Sequence, residues 1–293
     1  MTPQVVAQNV VFGLFVGGLY GVAAVGLSLV FGVMRVLNVA HGELLMLGGY
    51  ASIWLFTLLK VDPFISLLVC APLLFLLGVL LNQGLYRFVS RLDEENRIKN
   101  SLLISFGLTL ILQNIAIQLW TADERSITTG YAGQSLSLGG VVLPYTRLAG
   151  LVAALVVIVA LHRFLHGTYT GKAIRATALD WEAATLAGID VRRVYLLTFA
   201  LGSALAGIAG TLVSVGYSVY PSIGLAWTLK ALVVVVLAGM GSILGAIAAG
   251  LVLGVAESLS VVGLGPAYRE VVGLVIFLLV LLVRPRGLFG GRL

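Results

Sequence analysis

The sequence predicts an all-α fold: a polytopic integral membrane helical bundle of about 8–9 spans that includes broken helices. Three observations predict it. Of 293 residues, 60% are hydrophobic and only 10% charged, with a mean hydropathy of +1.09, so a soluble fold would lack the polar surface to cover its apolar side chains. Apolar stretches recur at the ~20-residue length that a helix needs to cross a bilayer. Lysine and arginine gather in alternate connections, which fixes an orientation.

In order, the spans fall at 9–33, 38–59, 63–85, 101–120, 147–165, 194–215, 227–240, 243–262 and 268–283. The opening MTPQVVAQNV lacks the basic region of a signal peptide and the apolar run after it is too long for one, so it begins the first span. Gly239-Met240-Gly241-Ser242 interrupts the long stretch 227–262 and divides it in two. With 86–99, 166–193 and the tail after Val283 inside, thirteen basic residues, among them Arg35, Arg87, Arg91, Arg286 and Arg292, lie inside. Five, Lys60, Arg125, Arg147, Lys230 and Arg269, lie outside. The expected N-terminus is therefore periplasmic and the C-terminus cytoplasmic. The net charge of +6 follows this topology and implies no nucleic-acid partner.

Glycines fall inside the spans. Gly13, Gly17 and Gly21 are four apart, as are Gly241 and Gly245 and then Gly250 and Gly254, spacings that let helices approach closely in lipid and read first as packing seams. A faint internal repeat aligns Phe15, Gly18, Gly26 and Gly32 with Phe199, Gly202, Gly210 and Gly216, in keeping with two pseudo-repeated halves. The outer loop 121–146 is rich in Gly, Ser, Thr and Tyr and is either a turn-rich cap for a soluble partner or a solvated connector.

The run RVLNVAHGELLMLGGY sets Arg35, Asn38, His41 and Glu43 among glycines between apolar stretches. Either it is a broken helix reaching into the membrane as the wall of a pathway, or it sits at the cytoplasmic interface with Arg35 and Glu43 offsetting each other. Glu257 and Lys230 either pair across helices or Lys230 snorkels to the outer surface, the simpler account. Gln113, Asn114 and Gln118 share part of a helix face and read as interhelical hydrogen-bonding groups. Cys70 has no partner for a disulfide and reads as a small buried hydrophobe, and His41, His162 and His166 sit at span ends with no metal-ligand spacing.

The long polar segment Gly167 to Arg193 carries helix signals at both ends. Asp180 can cap a short helix, Glu182 suits its first turn, and Gly188 can close it. The nearby HGTYTGKA is no phosphate loop, since His166 and Ala173 stand where that loop needs Gly and Ser or Thr. If ATP drives this protein, another subunit must bind it.

EAATLAG, from Glu182 to Gly188, is similar to the EAA motif of ABC importer membrane subunits, although Thr198, Ala200 and Leu201 replace its later Ile, Leu and Pro. The blocks Gly26 to Tyr50, Thr170 to Val191 and Leu237 to Ser258 resemble, in the same order, the permeases of high-affinity branched-chain amino acid importers of the LivH type. The resemblance runs over nearly the whole chain and implies one transmembrane permease domain, 1–293, with a cytoplasmic coupling loop at about 166–193. It makes Asp180, Trp181, Glu182, Ala183, Ala184, Leu186 and Gly188 the coupling helix that docks on an ATPase. It also implies a homologous second permease, two cytoplasmic ATPases that bind ATP and magnesium, and a periplasmic binding protein. This chain itself would hold no cofactor and be no enzyme. Asn38, His41 and Glu43 from one break, and Gly239, Gly241 and Ser242 from the other, are the candidate pathway lining. Urea and short-amide importers have very similar permeases. An ion-driven carrier would need a deep acid, for which Glu257 is the candidate, and a membrane-bound enzyme would need a nucleophile or metal cluster that the sequence does not offer.

Overall fold

The computed structural model describes residues 2–90, 92–285 and 287–289; Arg91, Arg286 and Arg292 of the charge tally lie outside the described residues. Among the described residues eight helical segments are long and apolar enough to cross a membrane, and one shorter apolar helix joins them. The chain is a polytopic helical membrane bundle.

The first half holds α1 (Pro3–Met34), α2 (His41–Leu59), α3 (Pro63–Leu81), the short α4 (Arg87–Val89) and α5 (Glu94–Trp120). A wide helical turn, Asn82–Tyr86, joins α3 to α4. A hairpin follows, β1 (Ser135–Leu138) paired antiparallel with β2 (Val141–Pro144) around Gly139 and Gly140, both at positive φ as a two-residue turn requires. The outer loop thus contains a short sheet that its turn-rich composition did not announce. It is held to the bundle by Gln8, which donates to Val142 O at 2.8 Å and accepts from Val142 N at 2.7 Å. Tyr131 donates to Asp62 Oδ2 at 2.7 Å, and burial followed by that carboxylate pushes its phenol up to about 12.

After α6 (Tyr145–Gly167) come α7 (Tyr169–Leu179) and α8 (Trp181–Leu186), so the polar segment holds two helices where one was expected. The second half is α9 (Val191–Gly216), the short α10 (Ile223–Ala238), α11 (Ile243–Leu264) and α12 (Arg269–Val283). Arg35 and Val191 both border the cleft beside α8, so α1 ends on the face where α9 begins, and the two helices run in opposite senses. This inverts the second half relative to the first, and the faint repeat matches α1 to α9.

The halves exchange partners. α1 lies antiparallel against α11, with Gly13 on Val255, Gly17 on Gly250 and Leu251, and Gly21 on Ile247. α9 lies antiparallel against α3, with Ala200 and Ser203 on Gly78 and Gly207 on Leu74. The first helix of each half therefore packs on the third helix of the other. The expected seam of Gly13 and Gly17 with Gly250 and Gly254 exists, since a β-carbon on Gly13 or Gly17 would meet the opposing backbone at 2.5–2.7 Å. The Gly241–Gly245 spacing is no such seam, because Gly241 stands at φ 90 in the turn before α11 and Gly245 packs against the capping Ser242.

Candidate functional site

Two regions carry the sequence candidates. At the first, α1 ends at Met34 with Arg35 in the left-handed region at φ 53, and the next five residues run back into the bundle without regular structure. His41 Nε2 then donates to Ala23 O at 3.0 Å. Ala23 lies eleven residues before the end of α1, a depth of about 16 Å at ~1.5 Å per residue. His41, the first residue of α2, is therefore buried in the interior although it stands at a span end.

Such a segment needs partners for its backbone, because lipid offers none. Side chains from other helices supply them. Arg97 donates to Met34 O at 3.3 Å, and Ser101 accepts from Leu37 N at 3.1 Å. Ser105 donates to Leu37 O at 3.4 Å. Thr228 donates to Val39 O at 2.9 Å and accepts from Gly42 N at 2.8 Å. The wide turn after α3 swings Tyr86 inward, where its hydroxyl donates to Asn38 Oδ1 at 3.0 Å and its ring lies 4.4 Å from Phe199. This pattern belongs to the membrane-depth alternative. Arg35 stands away from Glu43, 4.0 Å from Glu94.

The inverted half repeats the device. After α9 the chain turns back, Val219 bridging to Arg125 through hydrogen bonds of 2.7 and 2.9 Å, and α10 begins at Ile223. The starts of α2 and α10 meet: a β-carbon on Gly42 would overlap the Gly224 carbonyl, and one on Gly224 would overlap the Glu43 carboxyl. Glu43 is 1% exposed and its Oε2 has no hydrogen-bond partner. Glu43 thus lies where the starts of α2 and α10 meet, whereas His41 turns to Ala23 of α1 and Asn38 to Tyr86. Gly239, Gly241 and Ser242 do not join them. They form the turn between α10 and α11 near Gly32 of α1, where Ser242 caps α11 by accepting from Gly245 N at 3.1 Å.

Lys230 does not snorkel. Its ammonium donates to Glu257 Oε1 at 2.6 Å, while Arg269 lies 3.4 Å from Glu257 Oε2 and Tyr20 donates to that oxygen at 2.9 Å. Glu257 has no exposed surface, and two cations with a phenol compensate its burial. Sequence reasoning missed Arg269 and Tyr20, whose separation along the chain gives no spacing signal. Asn114 does not bond another helix among the described residues but returns to Leu110 O of its own helix at 2.8 Å.

The second region is α8. Asp180 Oδ1 accepts from Glu182 N at 2.9 Å and Ala183 N at 3.0 Å, as its N-cap position requires. Gly188, at φ +83, ends the helix: its N–H bonds Thr185 O and that of Ile189 bonds Ala184 O, both at 3.0 Å, a Schellman closure. Ala184 is the buried residue of α8, whereas Leu186 is 90% and Trp181 48% exposed. Beside α8 opens a cleft of about 1340 Å³, walled by Asn82, Arg87, Asp93 and Arg97 on one side and Asp180, Trp181 and Asp190 on the other. Hydrogen bonds from Asn96 hold the Asp93 carboxyl below its usual range.

Fold and sites define a polytopic membrane protein built from inverted halves, with two discontinuous helices meeting inside and one short amphiphilic helix held outside. The chain belongs to the family described as the branched-chain amino acid transport system / permease component, whose model matches residues 9–283. It is 33% identical to the high-affinity branched-chain amino acid transport permease BraD of Pseudomonas aeruginosa, over 97% of this chain and 95% of that one. It is 32% identical to the corresponding LivH of Salmonella typhimurium over the same shares, and 27% identical to the probable LivH of Methanocaldococcus jannaschii over 91% and 87%. No solved structure matches it.

Proposed function

We propose that this chain is one of two homologous permease subunits of an ATP-driven importer that carries leucine, isoleucine and valine across the bacterial inner membrane. The match over nearly the full length of permeases named for these substrates carries the reading. The face with α8 is cytoplasmic. There the apolar Trp181 and Leu186 dock on an ATPase subunit, which binds ATP and magnesium, and a second ATPase serves the other permease. A periplasmic binding protein delivers substrate to the opposite face, where the hairpin lies. The pathway passes the junction of α2 and α10, with Asn38, His41 and Glu43 beside it and the Gly239 to Ser242 turn at its cytoplasmic end. Discontinuous helices at the contact of inverted halves are where transporters place their substrate.

One observation favours a second reading, an ion-coupled carrier: Glu43 is a deep acid with an unpartnered oxygen. Proteoliposomes decide between them. The complete importer with its binding protein should take up labelled leucine only with ATP inside the ATPase compartment, and isoleucine and valine should compete while urea does not. Uptake by this chain alone, driven by a proton or sodium gradient, overturns the importer assignment.

A further inference from the structure

Arg97 is a buried cation that the chain leaves without an acid. It is 8% exposed, and neutral oxygens hold its guanidinium: Nη1 donates to Met34 O at 3.3 Å and to the Tyr195 hydroxyl at 3.5 Å, and Nη2 donates to Leu92 O at 3.0 Å. Its Nε has no hydrogen-bond partner, and among the described residues no carboxylate stands within ion-pair distance. Glu257, by contrast, has two cations and a phenol around it. A buried charge without a counter-charge is costly, so the missing partner of Arg97 calls for an account.

Arg97 lines the cleft of about 1340 Å³ beside α8, and so does Asn82, from the wide turn after α3. Asn82 is 4% exposed, and its Nδ2 is a second buried donor with no acceptor. Two elements thus bring unanswered N–H groups to one wall. The acids that border the cleft are already engaged. Asp93 accepts from Asn96 N and Nδ2, Glu94 lies 4.0 Å from Arg35, Asp180 caps α8, and Asp190 lies 3.0 Å from Arg193. Donors in surplus beside acceptors in use set the sign of the missing group: an acceptor, and against a guanidinium an anion. Val33, Leu92, Trp181, Ile189 and Leu196 give the same cleft an apolar lining. A carboxylate on a short aliphatic body matches both.

We infer that Arg97 and Asn82 form the carboxylate subsite of an amino-acid site in this cleft, reached from the face that carries α8. The inference rests on the importer reading above, in which that face is cytoplasmic, and it supplies a place where a branched-chain amino acid rests on the inner side. The guanidinium offers its N–H groups as a planar fork that suits a carboxylate, and Asn82 adds an amide donor. Both orphaned nitrogens are covered as the chain stands, so the two side chains turn toward the cleft as the ligand enters. Nη1 of Arg97, held at 3.3 and 3.5 Å, is the loosely tied end. The same residues border the α1–α2 break: Arg97 holds Met34 O, and Tyr86, one turn after Asn82, holds Asn38. An amino acid bound here therefore disturbs the groups that fix the break, and product accumulated inside slows further uptake.

The test uses the assembled importer in nanodiscs, without its binding protein and without ATP, and measures equilibrium binding of labelled leucine. Isocaproate, which keeps the carboxylate and the side chain, should displace it; isoamylamine, which lacks the carboxylate, and inorganic phosphate should not. Asn82→Ala removes an amide nitrogen that has no bond to lose, so the melting temperature should hold while binding weakens about tenfold or more. Arg97→Lys keeps the charge without the fork and should weaken binding to a similar degree. In proteoliposomes, unlabelled leucine placed with ATP on the ATPase side should slow uptake by the wild type more than uptake by Asn82→Ala. Displacement by phosphate as strong as by isocaproate makes the cleft a general anion site and refutes the inference. Absence of binding, or binding unchanged in both variants, in an importer that still transports leucine refutes the site and leaves the importer standing. Isocaproate bound through Arg97 and Asn82 by an assembly that transports no branched-chain amino acid overturns the importer reading and leaves the carboxylate subsite.

Discussion

At the scale of single residues, the irregular segment between α1 and α2 depends most on Thr228. One hydroxyl serves two backbone groups of that segment, the carbonyl of Val39 and the amide of Gly42, from a position with no exposed surface. Thr228→Val keeps the shape and removes both bonds, leaving two buried backbone groups unpaired at about 1–3 kcal/mol each. The expected result is a melting temperature of the purified protein several degrees lower and reduced uptake, with Thr228→Ser restoring both. A melting temperature unchanged by Thr228→Val would mean that the segment finds other partners. At Gly224 a β-carbon would require the Glu43 carboxyl to shift, whereas at Gly42 it would meet the Gly224 backbone.

Single elements separate what sequence could tell from what it could not. α8 was legible residue by residue, because Asp180, Glu182 and Gly188 act on backbone groups only a few positions away. Its neighbour α7 was overlooked although Thr168 caps it, accepting from Gly171 N at 3.0 Å. What sequence could not show is the corner that seats it, with Gly171 on the Leu165 backbone and Arg175 donating to Leu165 O at 3.0 Å. Likewise the seam of Gly13 and Gly17 was visible as a spacing, but its partner α11 was not. The amides of Gln113, Asn114 and Gln118 were visible as a cluster, yet spacing cannot say which side of α5 faces its own bundle. The depth of the α1–α2 break was left open because side chains of α5 and α10 fix it. For α8 itself, Glu182→Lys and Gly188→Val should leave the chain inserted with normal melting, since α8 buries little besides Ala184. Loss of the favourable acid or strain at positive φ should nevertheless weaken ATPase co-purification about tenfold, equivalent to ~1.4 kcal/mol. ATPase recovery and uptake equal to wild type in both variants would remove α8 from the docking surface.

The whole molecule is held together by exchange between its halves. α1 finds its main partner in α11, and α9 finds its own in α3, so neither half contains the seam its first helix was built for. The starts of α2 and α10 likewise complete each other, through Thr228 on one side and the close contact of Gly42 with Gly224 on the other. A first half made alone would expose Gly13 and Gly17 to lipid, and the Val39 carbonyl and Gly42 amide would lose their hydroxyl partner. We therefore expect the chain to behave as one folding unit that tolerates a cut but not a separation. A break between Gly139 and Gly140 falls in the exposed hairpin turn, where it severs no helix and leaves α6 to α8 with the second half. Expressed singly, fragments 1–139 and 140–293 should be degraded or aggregate; expressed together, they should co-purify as a stoichiometric pair with most of the intact chain's thermal stability. A 1–139 fragment that accumulates alone as a monodisperse, cooperatively melting species would show that the exchanged contacts are dispensable. The halves would then be independent domains, and the pairing of α1 with α11 a consequence of their docking.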